Sequence, residues 1–126
     1  MKLAHIALKV SDLERSIAFY SKLGFELKEK IELEKFSSTI AFLKAKEGGA
    51  ELELVYNRKE KAEPGSQQGF LHLGIEVEDL EQFIKELEEK GIAVSCQPFE
   101  TPDGTKICFI SDPDGYEIEL IQPKEK

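Results

Sequence analysis

Residues 5–24 read HIALKVSDLERSIAFYSKLG, and residues 72–91 read HLGIEVEDLEQFIKELEEKG. Laid over one another at an offset of 67, they share His5/His72, Val10/Val77, Asp12/Asp79, Leu13/Leu80, Glu14/Glu81, Ile17/Ile84 and Gly24/Gly91. The match resumes further on, where Glu51-Leu52-Glu53-Leu54-Val55 lies over Glu117-Ile118-Glu119-Leu120-Ile121 at an offset of 66. A repeat of this kind sets the architecture before any single element does. The chain reads as two copies of one module of about 55 residues, each too small to bury a secure core alone. The two are therefore expected to share a core or pair their sheets.

Each copy carries the same succession of elements. Leu3 to Val10 alternates apolar and polar residues and is rich in β formers, the pattern of a half-buried strand. Ser11-Asp12-Leu13-Glu14 has the form of a capping box, with Ser11 accepting from the helix start and Glu14 reaching back. Leu13, Ile17, Tyr20 and Leu23 recur at helical spacing, and Gly24 offers a left-handed stop. Strands are predicted at Phe25 to Glu32, Ser38 to Ala45 and Glu51 to Tyr56, with Gly48-Gly49 as the last turn. The second copy predicts a strand at Phe70 to Val77 and a helix over Leu80 to Lys90, with Leu80, Phe83, Ile84 and Leu87 inward. Its further strands are Ile92 to Gln97, Thr105 to Ser111 and Tyr116 to Gln122, turned by Thr101-Pro102-Asp103-Gly104 and Asp112-Pro113-Asp114-Gly115. The fold class is α+β, two βαβββ modules. One domain over 1–126 is expected: module one at about 1–57, a connector at 58–69 holding Pro64-Gly65, and module two at about 70–123. The connector is either a linker or the rim of a site.

Composition narrows the function. Of 126 residues, 40% are hydrophobic and 33% charged, ordinary for a globular domain. Seventeen Lys and Arg against 25 Asp and Glu leave a net charge of −8. That balance argues against nucleic acid or an anionic membrane as the main partner, since both require a basic surface. The longest run without a charged residue, Pro64 to Ile75, is 12 residues, short of the ~20 a membrane-spanning helix needs. His5 and Lys9 interrupt the opening apolar run, which does not read as a secretory signal. Cys96 and Cys108 have no metal-type spacing and read as reduced thiols, small hydrophobes in strands, in a cytoplasmic protein.

Strand alternation then sorts the polar side chains. Ile6, Leu8 and Val10 share one face of the first strand, and His5, Ala7 and Lys9 the other. In the repeat, Leu71, Leu73, Ile75 and Val77 oppose His72, Gly74 and Glu76. Leu52 and Leu54 oppose Glu51 and Glu53; Ile118 and Leu120 oppose Glu117 and Glu119. A lone strand Glu is usually just solvated, and a lone His is more often a hydrogen-bond partner than a ligand. Here both histidines of the chain hold equivalent positions, as do Glu53 and Glu119, and a very small residue sits two places beyond each His. Duplication alone would also preserve such a pattern. Two imidazoles and two carboxylates, if they converge, suit Zn, Ni, Co, Mn or Fe. Lys9 either meets an anionic group or is solvated; Asn57 and Arg58 either grip a polar ligand tail or start a turn.

The stretches HIALKVSDLERSIAFY, ELELVYN, HLGIEVEDLE and DPDGYEIELI resemble the vicinal oxygen chelate superfamily over nearly the whole chain. The resemblance implies a curved mixed sheet around a metal site. ELVYN at Glu53 to Asn57 is nearly the ELTYN-like segment of bacterial-type, metal-dependent glyoxalase I, whose ligands run His, Glu, His, Glu. It implies His5, Glu53, His72 and Glu119 as ligands to a divalent metal, with Ni²⁺ or Co²⁺ ahead of Zn²⁺. It further implies Glu119 as the main base with Glu53 its counterpart, and glutathione as thiol co-substrate contacted by Lys9 and Asn57. Lys9 departs from the family's Arg: it keeps the charge and loses the bidentate fork. The activity implied is isomerisation of the methylglyoxal–glutathione hemithioacetal to S-lactoylglutathione through an enediolate, in a homodimer. A methylmalonyl-CoA epimerase-like enzyme, which has Gln where Glu53 stands, another enzyme of the superfamily, or a non-catalytic small-molecule binder are the alternatives.

Overall fold

The computed structural model describes residues 4–60 and 72–124. Leu3, Phe70 and Leu71 of the expected strands, and the connector beyond Glu60, lie outside the described residues. The chain divides into two compact units, Met1–Ser66 and Gln67–Lys126, with the boundary inside the expected connector.

In the first unit the elements are β1 (His5–Lys9), α1 (Leu13–Leu23), β2 (Phe25–Leu33), a 3₁₀ turn (Glu34–Phe36), β3 (Ser38–Ala45) and β4 (Glu51–Asn57). They form a mixed sheet in the order β1-β4-β3-β2. β1 and β4 run parallel, and the β4–β3 and β3–β2 pairs are antiparallel. The second unit repeats this with β5 (His72–Glu76), α2 (Leu80–Glu89), β6 (Cys96–Glu100), β7 (Lys106–Ser111) and β8 (Glu117–Gln122), in the order β5-β8-β7-β6. Each unit is thus βαβββ with one four-stranded mixed sheet.

α1 starts one residue later than a Ser11 capping box requires, and α2 starts at the expected Leu80. Asp12 is the N-cap of α1, its carboxylate accepting from Arg15 N at 3.0 Å, and Asp79 does the same for Gln82 N at 3.1 Å. An Asp carboxylate one position nearer the helix takes the role expected of Ser11, and Glu14 falls on the second helical residue, where no reciprocal box forms. Gln122 on β8 adds a second acceptor, receiving Leu80 N at 2.8 Å. α1 ends at Gly24, which is left-handed at φ 115. α2 ends in a Schellman arrangement: Gly91 lies at φ 85, Gly91 N donates to Glu88 O, and Ile92 N donates to Leu87 O. That arrangement corrects the strand expected at Ile92 to Gln97. Ile92 is buried with Leu87 at the helix stop, so pairing begins only at Cys96.

The core of each unit lies where helix and sheet meet. Tyr20, Leu8, Val10, Leu43 and Leu54 are fully buried in the first, and Leu80, Leu87, Ile110, Ile118 and Leu120 in the second. Each buried aliphatic side chain contributes roughly 1.5–3 kcal/mol. On α1 the buried residues are Leu13, Ser16, Tyr20 and Leu23; Ser16 takes the innermost place expected for Ile17, which is half-buried. The edge strands β2 and β6 each carry a bulge, a common device at exposed sheet edges. Cys108 is buried in β7 as expected of a small hydrophobe, while Cys96 opens the exposed edge strand β6 and faces solvent.

Candidate functional site

The face of each sheet away from its aliphatic side holds one His–Glu pair. In the parallel register of β1 and β4, Ala7 stands directly across from Glu53, and His5 across from Glu51. His5 therefore approaches Glu53 on the diagonal, over the space that Ala7 leaves open. Its Nε2 stands 2.9 Å from Glu53 Oε2. The second unit repeats the register: Gly74 stands across from Glu119, and His72 across from Glu117. His72 Nε2 stands 3.6 Å from Glu119 Oε1. The two carboxylates are 15% and 19% exposed, against 47% and 37% for their imidazoles. Each unit so presents a largely sheltered oxygen donor beside an accessible nitrogen donor.

A phenylalanine completes each pair, and sequence reasoning missed both. Phe42 on β3 is registered with Glu53, and Phe109 on β7 with Glu119. The Phe42 ring meets the His5 imidazole edge-on, centroids 6.1 Å apart and planes at 70°. Phe109 meets His72 in the same way, at 5.9 Å and 77°. The signal lay in the repeat: Phe42 and Phe109 are separated by the same 67 residues as the histidines.

Lys9 shares the His5 face of β1, registered with Val55. Asn57 ends β4 and works as a turn residue. Its Oδ1 accepts from Lys59 N at 2.9 Å and Glu60 N at 2.8 Å, and its Nδ2 donates to Phe36 O at 3.3 Å. Arg58 is held at the same corner by Glu32 at 2.6 Å and Glu34 at 3.3 Å. Of the two readings open for these residues, the turn is the one their contacts display.

The expected ligands are thus brought together in twos, His5 with Glu53 and His72 with Glu119. Among the described residues no group of three or more His, Cys, Asp or Glu is gathered closely enough to hold a metal ion. The donor chemistry nevertheless fits one. Imidazole nitrogen and carboxylate oxygen side by side, twice over and with no thiolate, are the donors borderline divalent ions take. No helix among the described residues is long and apolar enough to cross a membrane.

The family model of the Glyoxalase/Bleomycin resistance protein/Dioxygenase superfamily matches residues 2–120. The chain belongs to this superfamily. Among the glyoxalase relatives is the lactoylglutathione lyase of Haemophilus influenzae, 38% identical over 98% of this chain and 94% of the relative. The crystal structure of glyoxalase I from Zea mays superposes with a TM-score of 0.84 at 30% identity, over 99% of this chain and 46% of the maize chain. The trypanothione-dependent glyoxalase I of Leishmania major gives a TM-score of 0.78 at 29% identity, over 97% of this chain and 86% of that one.

Proposed function

We propose that this protein is a metal-dependent glyoxalase I, a carbon–sulfur lyase that converts the methylglyoxal–glutathione hemithioacetal to S-lactoylglutathione. The observation that carries the reading is the duplicated His–Glu pair, in the same register in both units of a chain similar to lactoylglutathione lyases over nearly its full length. In this reading His5 and Glu53 of one module and His72 and Glu119 of another, drawn from one chain or from two, are the ligands of one divalent ion. Such an ion would supply positive charge that stabilises the enediolate and so eases loss of the proton from the sulfur-bearing carbon. We favour Ni²⁺ or Co²⁺ over Zn²⁺.

The chain's own residues do the rest. Glu119 takes the hydrogen from the sulfur-bearing carbon as a proton and returns a proton to the neighbouring carbon. The hydroxyl hydrogen passes from one oxygen to the other, so the reaction is an isomerisation and needs no redox partner. Glu53 is the symmetric carboxylate. Ala7 and Gly74 leave the faces beside the two pairs low enough for a substrate to approach. Lys9 faces a carboxylate of the thiol, and Asn57 offers it the Nδ2 hydrogen not directed at Phe36. We place the reaction in the cytoplasm, where the thiol pool is reduced, and the chain in a homodimer.

Thioester formation tests the reading. Metal-free protein is supplied with Ni²⁺, Co²⁺ or Zn²⁺ and then with methylglyoxal and glutathione. Lactoyl thioester appearing faster than in the protein-free mixture, fastest with Ni²⁺ or Co²⁺, is the expected result. No acceleration with any of the three sinks it. Turnover of a CoA thioester instead would favour the epimerase reading, and tight ligand binding without turnover the binder.

A further inference from the structure

We propose that Phe42 and Phe109 are positioning residues: each holds its imidazole, His5 or His72, at the angle from which Nε2 is presented to a metal ion. The proposal rests on the metal-binding reading above. It starts from what holds the two imidazoles in place. Among the described residues each has one polar contact, from Nε2 to its own Glu, and one ring contact, to its own Phe.

The polar contact does not survive ligation. An Nε2 whose lone pair is given to an ion carries no hydrogen to direct at Glu53 Oε2, 2.9 Å away, or at Glu119 Oε1, 3.6 Å away. Ligating histidines are ordinarily held by a hydrogen bond at the other ring nitrogen. Neither Nδ1 has such a partner among the described residues. The phenylalanine edge is the contact that remains, because it depends on the imidazole ring and not on where its proton sits. Both centroid separations fall in the range of attractive edge-to-face pairs. The register keeps each phenylalanine in place: it stands across the sheet from the very Glu of the pair, with Ala7 or Gly74 on that Glu's other side. The same arrangement arises in both units from separate residues.

The test is a metal titration, with no turnover involved. Co²⁺ is titrated into metal-free wild type, Phe42→Leu, Phe109→Leu and the ring-retaining Phe42→Tyr and Phe109→Tyr, against a chromophoric chelator. The expected result is about tenfold weaker binding in each Leu variant, with displaced visible Co²⁺ bands, and recovery in the Tyr variants. Imidazole relaxation by NMR in the metal-free Leu variants, or in Phe→Met variants should Leu disturb the sheet, should show a looser ring. Wild-type affinity and an equally ordered imidazole in the Leu variants overturn the proposal. If wild type itself binds no Co²⁺, the metal reading falls and this inference with it, an outcome distinct from wild type and variants binding alike.

Discussion

Glu119 and the two histidines have separable duties, and substitution separates them. Glu119→Gln keeps an oxygen donor and loses the base, so turnover should fall about 10²–10⁴-fold while much of the metal stays bound. His5→Ala and His72→Ala each remove a ligand, so metal affinity should fall first, and activity with it. Steady-state rates beside metal content per protein check both; full activity in Glu119→Gln would move the base elsewhere. The two thiols diverge as well. Burial pushes Cys108 from an ordinary 9.0 to about 11, with a smaller contribution from Cys96. The folded pKa lies above the unfolded one, so the stabilisation from the neutral buried thiol is complete below pH 9 and is lost as the pH climbs through about 11. Native protein at pH 8 should therefore release one equivalent of thionitrobenzoate, from exposed Cys96, and a second only on unfolding; two equivalents in the native state would contradict the burial.

The helices are where the repeated sequence can be tested as architecture. Asp12 and Asp79 are equivalent in the repeat because both are N-caps. Asp12→Ala and Asp79→Ala should each lower the unfolding free energy by about 1 kcal/mol, with Asn at either position keeping most of it. Urea unfolding measures this, and an Asp79→Ala variant as stable as wild type would mean that Gln122 alone secures α2. Much of this level was legible beforehand, for a physical reason. Strict alternation in β1, β4, β5 and β8 sends one set of side chains to the helix, so reading the faces required no knowledge of the partner strands. What escaped the sequence depended on spacing that alternation does not encode. Ser11 and Asp12 both fit a cap, and only the helix start separates them. Ile92 looks like a strand residue and is taken by the Schellman contact with Leu87. The 3₁₀ turn Glu34–Phe36 spans three residues, too few for any periodicity. Phe42 and Phe109 were missed because alternation alone does not show which residue stands across from Glu53 and Glu119; the register does.

At the scale of the molecule, each module is proposed to supply half of one metal centre. The halves meet either within one chain or across a dimer, and mixing distinguishes the two. His5→Ala carries its defect in module one and Glu119→Gln in module two. In a mixed dimer with shared sites, one site collects both defects and the other has none, so activity should return when the two inactive variants are mixed. If each chain builds its own site, every site stays defective and no activity returns. Light scattering should report a dimer, as expected of a closed twofold assembly. The most direct measurement of all is metal stoichiometry by elemental analysis of Ni²⁺-loaded protein after gel filtration. About one ion per chain is predicted, whether the four ligands come from one chain or two. Two ions per chain, each held by its own His–Glu pair, or none retained, would contradict the account.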